Sequence, residues 1–122
     1  MNVTDYYPII YAEDFEAEIK RFSDDFGFTV KHRPKIEYLD YAVLENGNKR
    51  RVDIVRSHFP ADSFKDGFLG MRVNVEDFEE GVSYFGALGY SVFGTVHNTD
   101  SCITALLTKG DGTYIVLFQH RK

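Results

Sequence analysis

Residues 14–16 read Asp-Phe-Glu, and residues 77–79 read Asp-Phe-Glu again. The offset of 63 carries Phe15, Ile19 and Phe22 onto Phe78, Val82 and Phe85. Spacings of four and three put such residues on one face of a helix. Acidic residues open each segment, where they suit the positive end of the helix dipole. Each segment stops at a glycine followed by an aromatic, Phe26-Gly27-Phe28 and Leu88-Gly89-Tyr90, with one residue lost before the second glycine. Glycine there is the expected helix stop. Further on, Ala42, Leu44, Gly47, Val52 and Ile54 match Ala105, Leu107, Gly110, Ile115 and Leu117 at the same offset. A repeat of this kind constrains the fold more than any composition does.

Each half therefore reads strand, helix, strand, strand, strand. Strands are expected near 6–12, 28–33, 37–45 and 51–57, with a helix near 14–26. The second set is expected near 68–75, 90–97, 101–108 and 113–120, with a helix near 77–88. Asn46-Gly47 and Asp111-Gly112 suit turns between strands. The 122 residues make one domain: module one over about 5–57, a linker over 58–67 holding Pro60, Asp62 and Gly67, and module two over about 68–120.

A net charge of −5 argues against a nucleic-acid surface, which needs a dominant basic face. The short basic runs Lys31-His32-Arg33 and Lys49-Arg50-Arg51 read as solvated strand ends and turns. One cysteine, Cys102, forms no internal disulfide and is expected to begin the seventh strand as a packed thiol. The segment MNVTDYYPIIYAED has neither a basic leader nor a long apolar run, so no membrane is expected and the default location is the cytoplasm.

The segment Ile10-Tyr11-Ala12-Glu13-Asp14-Phe15, running on to Phe26-Gly27-Phe28, resembles the first strand, acidic residue, helix and helix end of the glyoxalase/bleomycin-resistance/dioxygenase (vicinal oxygen chelate) superfamily. The closing stretch from Gly110 to Phe118 resembles that family's last hairpin. The resemblance covers nearly the whole chain. It implies an α+β fold: two tandem βαβββ modules forming curved mixed sheets around a cleft, with helices on the convex side. In the family the cleft usually holds a metal, bound by His or Gln on a module's first strand and Glu on its last. Carried onto this sequence, those positions are Tyr7, Asp53, Gly70 and Val116. Only Asp53 is a good ligand, because a neutral phenol has a pKa of about 10 and glycine and valine carry no donor. No metal and no cofactor are expected.

Strand alternation assigns the two faces. Ile10 and Ala12, and Met71, Val73 and Val75, should face the helices. Tyr7, Ile9, Tyr11, Tyr41, Asp53, Arg72, Asn74, Thr104, Val116, Phe118 and His120 should line the ligand face. Gly70, Val43, Val55 and Leu106 share that parity. A guanidinium there needs an anion, either Asp53 or a ligand carboxylate or phosphate. The aromatic residues suit a small-molecule pocket or the core of a homodimer interface. His32, His58 and His97 stand on separate elements, without a metal-binding spacing.

Three functions fit these residues. The first is a metal-free small-molecule-binding protein, with its ligand between the modules. The second is a glyoxalase-like lyase or isomerase, or a dioxygenase-like enzyme, using other metal ligands or acid–base work by Asp53, Tyr7 or His120. The third is a structural dimer module with a collapsed cleft. A homodimer is expected in any case, because a sheet edge or concave aromatic face invites a second chain.

Overall fold

The structure is a computed structural model that describes residues 1–58 and 64–121. Pro60 and Asp62 of the expected linker lie outside the described residues. The elements follow the repeat: β1 (Val3–Tyr11), α1 (Phe15–Phe26), β2 (Thr29–His32), β3 (Leu39–Glu45), β4 (Arg51–Ser57), β5 (Gly67–Val75), α2 (Phe78–Ala87), β6 (Ser91–Asn98), β7 (Cys102–Thr108) and β8 (Tyr114–His120). This is an α+β fold of two βαβββ modules with mixed sheets.

Both helices start on an aspartate cap. Asp14 accepts the Ala17 N–H and Asp77 accepts the Glu80 N–H, each at 3.2 Å. The bonds satisfy N–H groups that a helix start leaves without partners. Gly27 closes α1 at φ 72°, a left-handed conformation that glycine adopts without a Cβ clash.

The ladders repeat with the sequence. Ile9 pairs with Asp53 and Tyr11 with Val55 in the parallel β1–β4 ladder. Adding 63 gives Arg72 with Val116 and Asn74 with Phe118, the observed parallel β5–β8 pairs. The antiparallel pairs Tyr41–Val55 and Val43–Asp53 become Thr104–Phe118 and Leu106–Val116 in the same way.

The chain forms two compact units. One is Pro8–Leu69. In it Ala12, Phe15, Ile19, Ala42, Leu44, Val52 and Ile54 pack between α1 and the sheet. The other joins Met1–Tyr7 to Gly70–Lys122, with Val75, Phe78, Phe85, Ile103, Ala105, Leu107, Ile115 and Leu117 packed between α2 and its sheet. The first seven residues group with the second module because Asn2 accepts the Glu76 N–H at 3.3 Å and Thr4 bonds the Asn74 carbonyl at 3.3 Å. The N-terminal ammonium also meets Glu80 at 2.8 Å. That is why β1 begins three residues earlier than sequence periodicity suggests. Among the described residues, no helix is long and apolar enough to cross a membrane.

Candidate ligand-binding face

In the first unit, alternation along β1, β3 and β4 puts Ile9, Tyr11, Tyr41 and Asp53 on the face turned away from α1, and all four are buried. Asp53 is 0% exposed. Arg51 stands two residues earlier on the same strand and so on the same face. Its Nε donates to Asp53 Oδ1 at 2.7 Å and its Nη2 to Oδ2 at 3.0 Å. The Tyr41 hydroxyl donates to Oδ2 as well. A buried carboxylate persists only when paired and hydrogen-bonded in this manner. Arg51 is therefore not the solvated strand end expected from the basic run. It is the counter-ion of the most buried charge in this face.

Tyr11 sits further along β1. Its hydroxyl donates to Glu13 Oε2 at 3.0 Å and accepts the Ser57 N–H at 3.2 Å. Phe64 stacks on its ring with centroids 5.1 Å apart. Burial raises the Tyr11 phenol above the ordinary value of 10.0, and the neighbouring Glu13 carboxylate adds to the effect.

In the second unit the corresponding face carries Arg72, Asn74, Thr104, Val116 and Phe118, all buried, with His120 exposed at the strand end and Tyr7 half-buried. Arg72 Nε donates to Asn74 Oδ1 at 2.9 Å, again a pair two residues apart on one strand. The guanidinium carbon lies 3.8 Å from the Phe118 ring centroid, a close cation–π contact. His120 meets Phe118 edge-on, with centroids 4.6 Å apart. Thr104 gives its hydroxyl to the Leu117 carbonyl at 2.8 Å. Cys102 begins β7 opposite His120, is buried, and has the Thr99 hydroxyl 3.8 Å from its sulfur.

Of the other histidines, the half-buried His97 is the cross-strand partner of Thr104 in the β6–β7 ladder, and the remaining two lie elsewhere. His58 contacts Asp40 at 2.9 Å on the surface, His32 is exposed on β2, and His97 lies on β6. Sequence reading missed Arg51 and Phe64. Shared parity with Asp53 was a usable signal for Arg51. Phe64 stands outside any strand or helix, where no periodicity announces it.

The residues at the four expected metal positions do not fit a divalent ion. A Cβ built on Gly70 would lie 2.0 Å from the Tyr114 carbonyl oxygen, so the backbone approach of β8 admits no side chain there. Val116 offers no donor atom. Asp53 already receives three hydrogen bonds from Arg51 and Tyr41. Tyr7 is a phenol and would have to give up its proton to become a good ligand. Among the described residues, no group of three or more His, Cys, Asp or Glu side chains is placed to hold a metal.

No protein-family profile and no curated protein matches the sequence. Solved structures do match the fold. Methylmalonyl-CoA epimerase from Mycobacterium tuberculosis is 16% identical with a TM-score of 0.73, covering 98% of this chain and 90% of its own. A Streptomyces coelicolor methylmalonyl-CoA epimerase variant in complex with 2-nitronate-propionyl-CoA is 14% identical with a TM-score of 0.72, covering 98% and 96%. A hypothetical protein from Bacillus halodurans is 10% identical with a TM-score of 0.69, covering 95% and 93%. With its tandem βαβββ modules and repeated ladders, the chain has the fold of the glyoxalase/bleomycin-resistance/dioxygenase superfamily.

Proposed function

We propose that this protein binds a small molecule without a metal ion, on the sheet face that carries Arg72, Asn74, Thr104 and Phe118. The observation that carries this reading is the chemistry of the usual metal positions. Gly70 is closed to any side chain, Val116 is inert, and Asp53 is saturated by an internal cation. Meanwhile the face keeps the mixed aromatic and polar character of a small-molecule site. The fold neighbours support the class of function, since several were solved with acyl-CoA ligands. The test is a thermal-shift screen of small molecules on protein stripped with EDTA. A ligand that binds only the native state raises the melting temperature. Hits that persist in EDTA support the reading. Hits that vanish in EDTA and return with added metal would overturn it.

A second reading is an isomerase-like enzyme, favoured by the recurrence of methylmalonyl-CoA epimerases among the structural neighbours. Epimerisation at a carbon next to a thioester needs a group that removes a proton and one that returns it. Both carboxylate oxygens of Asp53 are occupied by donors of Arg51 and Tyr41, which leaves it badly placed to take a substrate proton. Exchange of the α-proton of methylmalonyl-CoA in deuterated water, followed by NMR, decides between the two readings. Turnover well above the buffer rate would establish the enzyme.

A further inference from the structure

The last residues of the linker lie against module one. Phe64 and Lys65 belong to no strand or helix, yet Phe64 is half-buried. Its ring stacks on Tyr11, with centroids 5.1 Å apart and planes inclined by 26°. Two residues further on, Asp66 Oδ1 accepts the Glu13 N–H at 2.9 Å. Tyr11 is the last residue of β1, and Glu13 follows just beyond it. Residues 64–66 are thus fastened to the end of β1 by a ring and by a carboxylate. Gly67 comes next at φ 116°, a conformation that glycine adopts freely and side chains rarely take. There the chain turns into β5.

The residue beneath is part of the face turned away from α1. Tyr11 shares that face with Ile9, Tyr41 and Asp53 and is 1% exposed. Its hydroxyl is already held by Glu13 and by the Ser57 N–H, so the ring is oriented from the sheet side. Phe64 adds a cover on top of it. Module two has Asn74 at the place of Tyr11 and builds the same parallel ladder, so the register does not depend on an aromatic stack there. A near-parallel pair of rings at this distance is also how a protein ring receives an aromatic ligand. Segments outside strands and helices open at lower cost than the strands they cover. The Asp66–Glu13 bond is exposed to solvent, where water can replace it.

We propose that residues 64–66 form a strap that closes the module-one face, with Phe64 holding the place on Tyr11 that an aromatic group takes once the strap lifts at Gly67. The probe is 2-naphthol, a neutral aromatic, titrated by fluorescence into wild type, Phe64→Ala and Asp66→Ala. Phe64→Ala removes the competing ring and should bind the probe saturably, roughly tenfold more tightly than wild type. Asp66→Ala frees the fastening but keeps the ring, and its affinity should fall between the two. Near-ultraviolet circular dichroism checks that each variant keeps its tertiary packing, since a loosened fold also takes up aromatic dyes. If Phe64→Ala does not fold, Asp66→Ala against wild type decides by the same criterion. Neither outcome touches the module-two face, whose own test is the thermal-shift screen. In wild type, hydrogen exchange provides a second measurement. The Glu13 amide should exchange by local opening, at a rate insensitive to low urea, while the amides of β4 wait for global unfolding. A folded variant that binds 2-naphthol no more tightly than wild type overturns the proposal, and so does a Glu13 amide that exchanges only with global unfolding.

Discussion

Arg51 grips Asp53 with two parallel donors, Nε on Oδ1 at 2.7 Å and Nη2 on Oδ2 at 3.0 Å, from a position two residues away on the same strand. The carboxylate is fully buried, while the arginine side chain keeps 17% exposure. Removing the cation alone strands the charge. Arg51→Met should therefore lose about 3 kcal/mol of stability in urea denaturation. Adding Asp53→Asn removes the charge that was stranded, and the double variant should recover much of the loss. A single variant as stable as wild type would show that the pair is incidental.

Gly70 makes a second, sterically defined prediction. Its missing Cβ is what lets the Tyr114 carbonyl approach, and a built Cβ would sit 2.0 Å from that oxygen. The nearest atom belongs to backbone, so no rotamer change relieves the clash. Gly70→Ala should cost upwards of about 2 kcal/mol, as backbone must shift to admit it. Gly47→Ala, with nothing within 4 Å of its Cβ, is the control and should change stability far less. Equal effects at the two sites would contradict the close approach of β5 and β8.

These two residues also show how far sequence reading carries. The offset of 63 carried the helix faces and the strand register, because a repeat encodes pairing and alternation encodes direction. Ile9 opposite Asp53 and Arg72 opposite Val116 are the same relationship seen twice. The reason for Gly70 was not legible. In the sequence it reads as an emptied ligand position, whereas its cause is a cross-strand carbonyl that only the register reveals. Arg51 was hidden by its basic neighbours Lys49 and Arg50, although its parity with Asp53 was available. The Tyr11–Phe64 stack joins a strand to a segment without periodicity, so no pattern could announce it.

Tyr11 gives a pH dependence with a definite sign. Its folded pKa is raised by burial above the unfolded value of 10.0. The folded state then holds the proton more tightly than the unfolded one. The stabilisation is fully present below pH 10.0 and is lost as pH rises through the folded value. Tyr11→Phe should be less stable at neutral pH, having lost the bonds to Glu13 and Ser57, but its stability should fall less steeply above pH 10. Parallel alkaline limbs in the two proteins would count against a buried phenol.

The two outermost strands of the strand order, β2 and β6, differ in a way that bears on self-association. β2 spans four residues and carries Lys31 and His32, with Arg33 and Pro34 following, all features that discourage strand pairing. β6 spans eight residues without a single Lys, Arg, Asp or Glu, and leaves Val92, Phe93 and Val96 exposed. A two-fold pairing of β6 with its copy sets no like charges opposite one another. Light scattering at micromolar concentration should give twice 14.0 kDa, and Val92→Lys with Val96→Lys should return the protein to 14.0 kDa. A wild-type monomer across a wide concentration range would rule out this pairing.

Ligand binding without a metal, as proposed for this protein, is open to test by elemental analysis. The purified protein is dialysed against zinc, nickel and manganese, then against metal-free buffer, and its metal content is measured per chain. Gly70, Val116 and the Arg51-bound Asp53 predict far less than one ion per chain for each metal. A content near one ion per chain, retained through dialysis, would contradict the account.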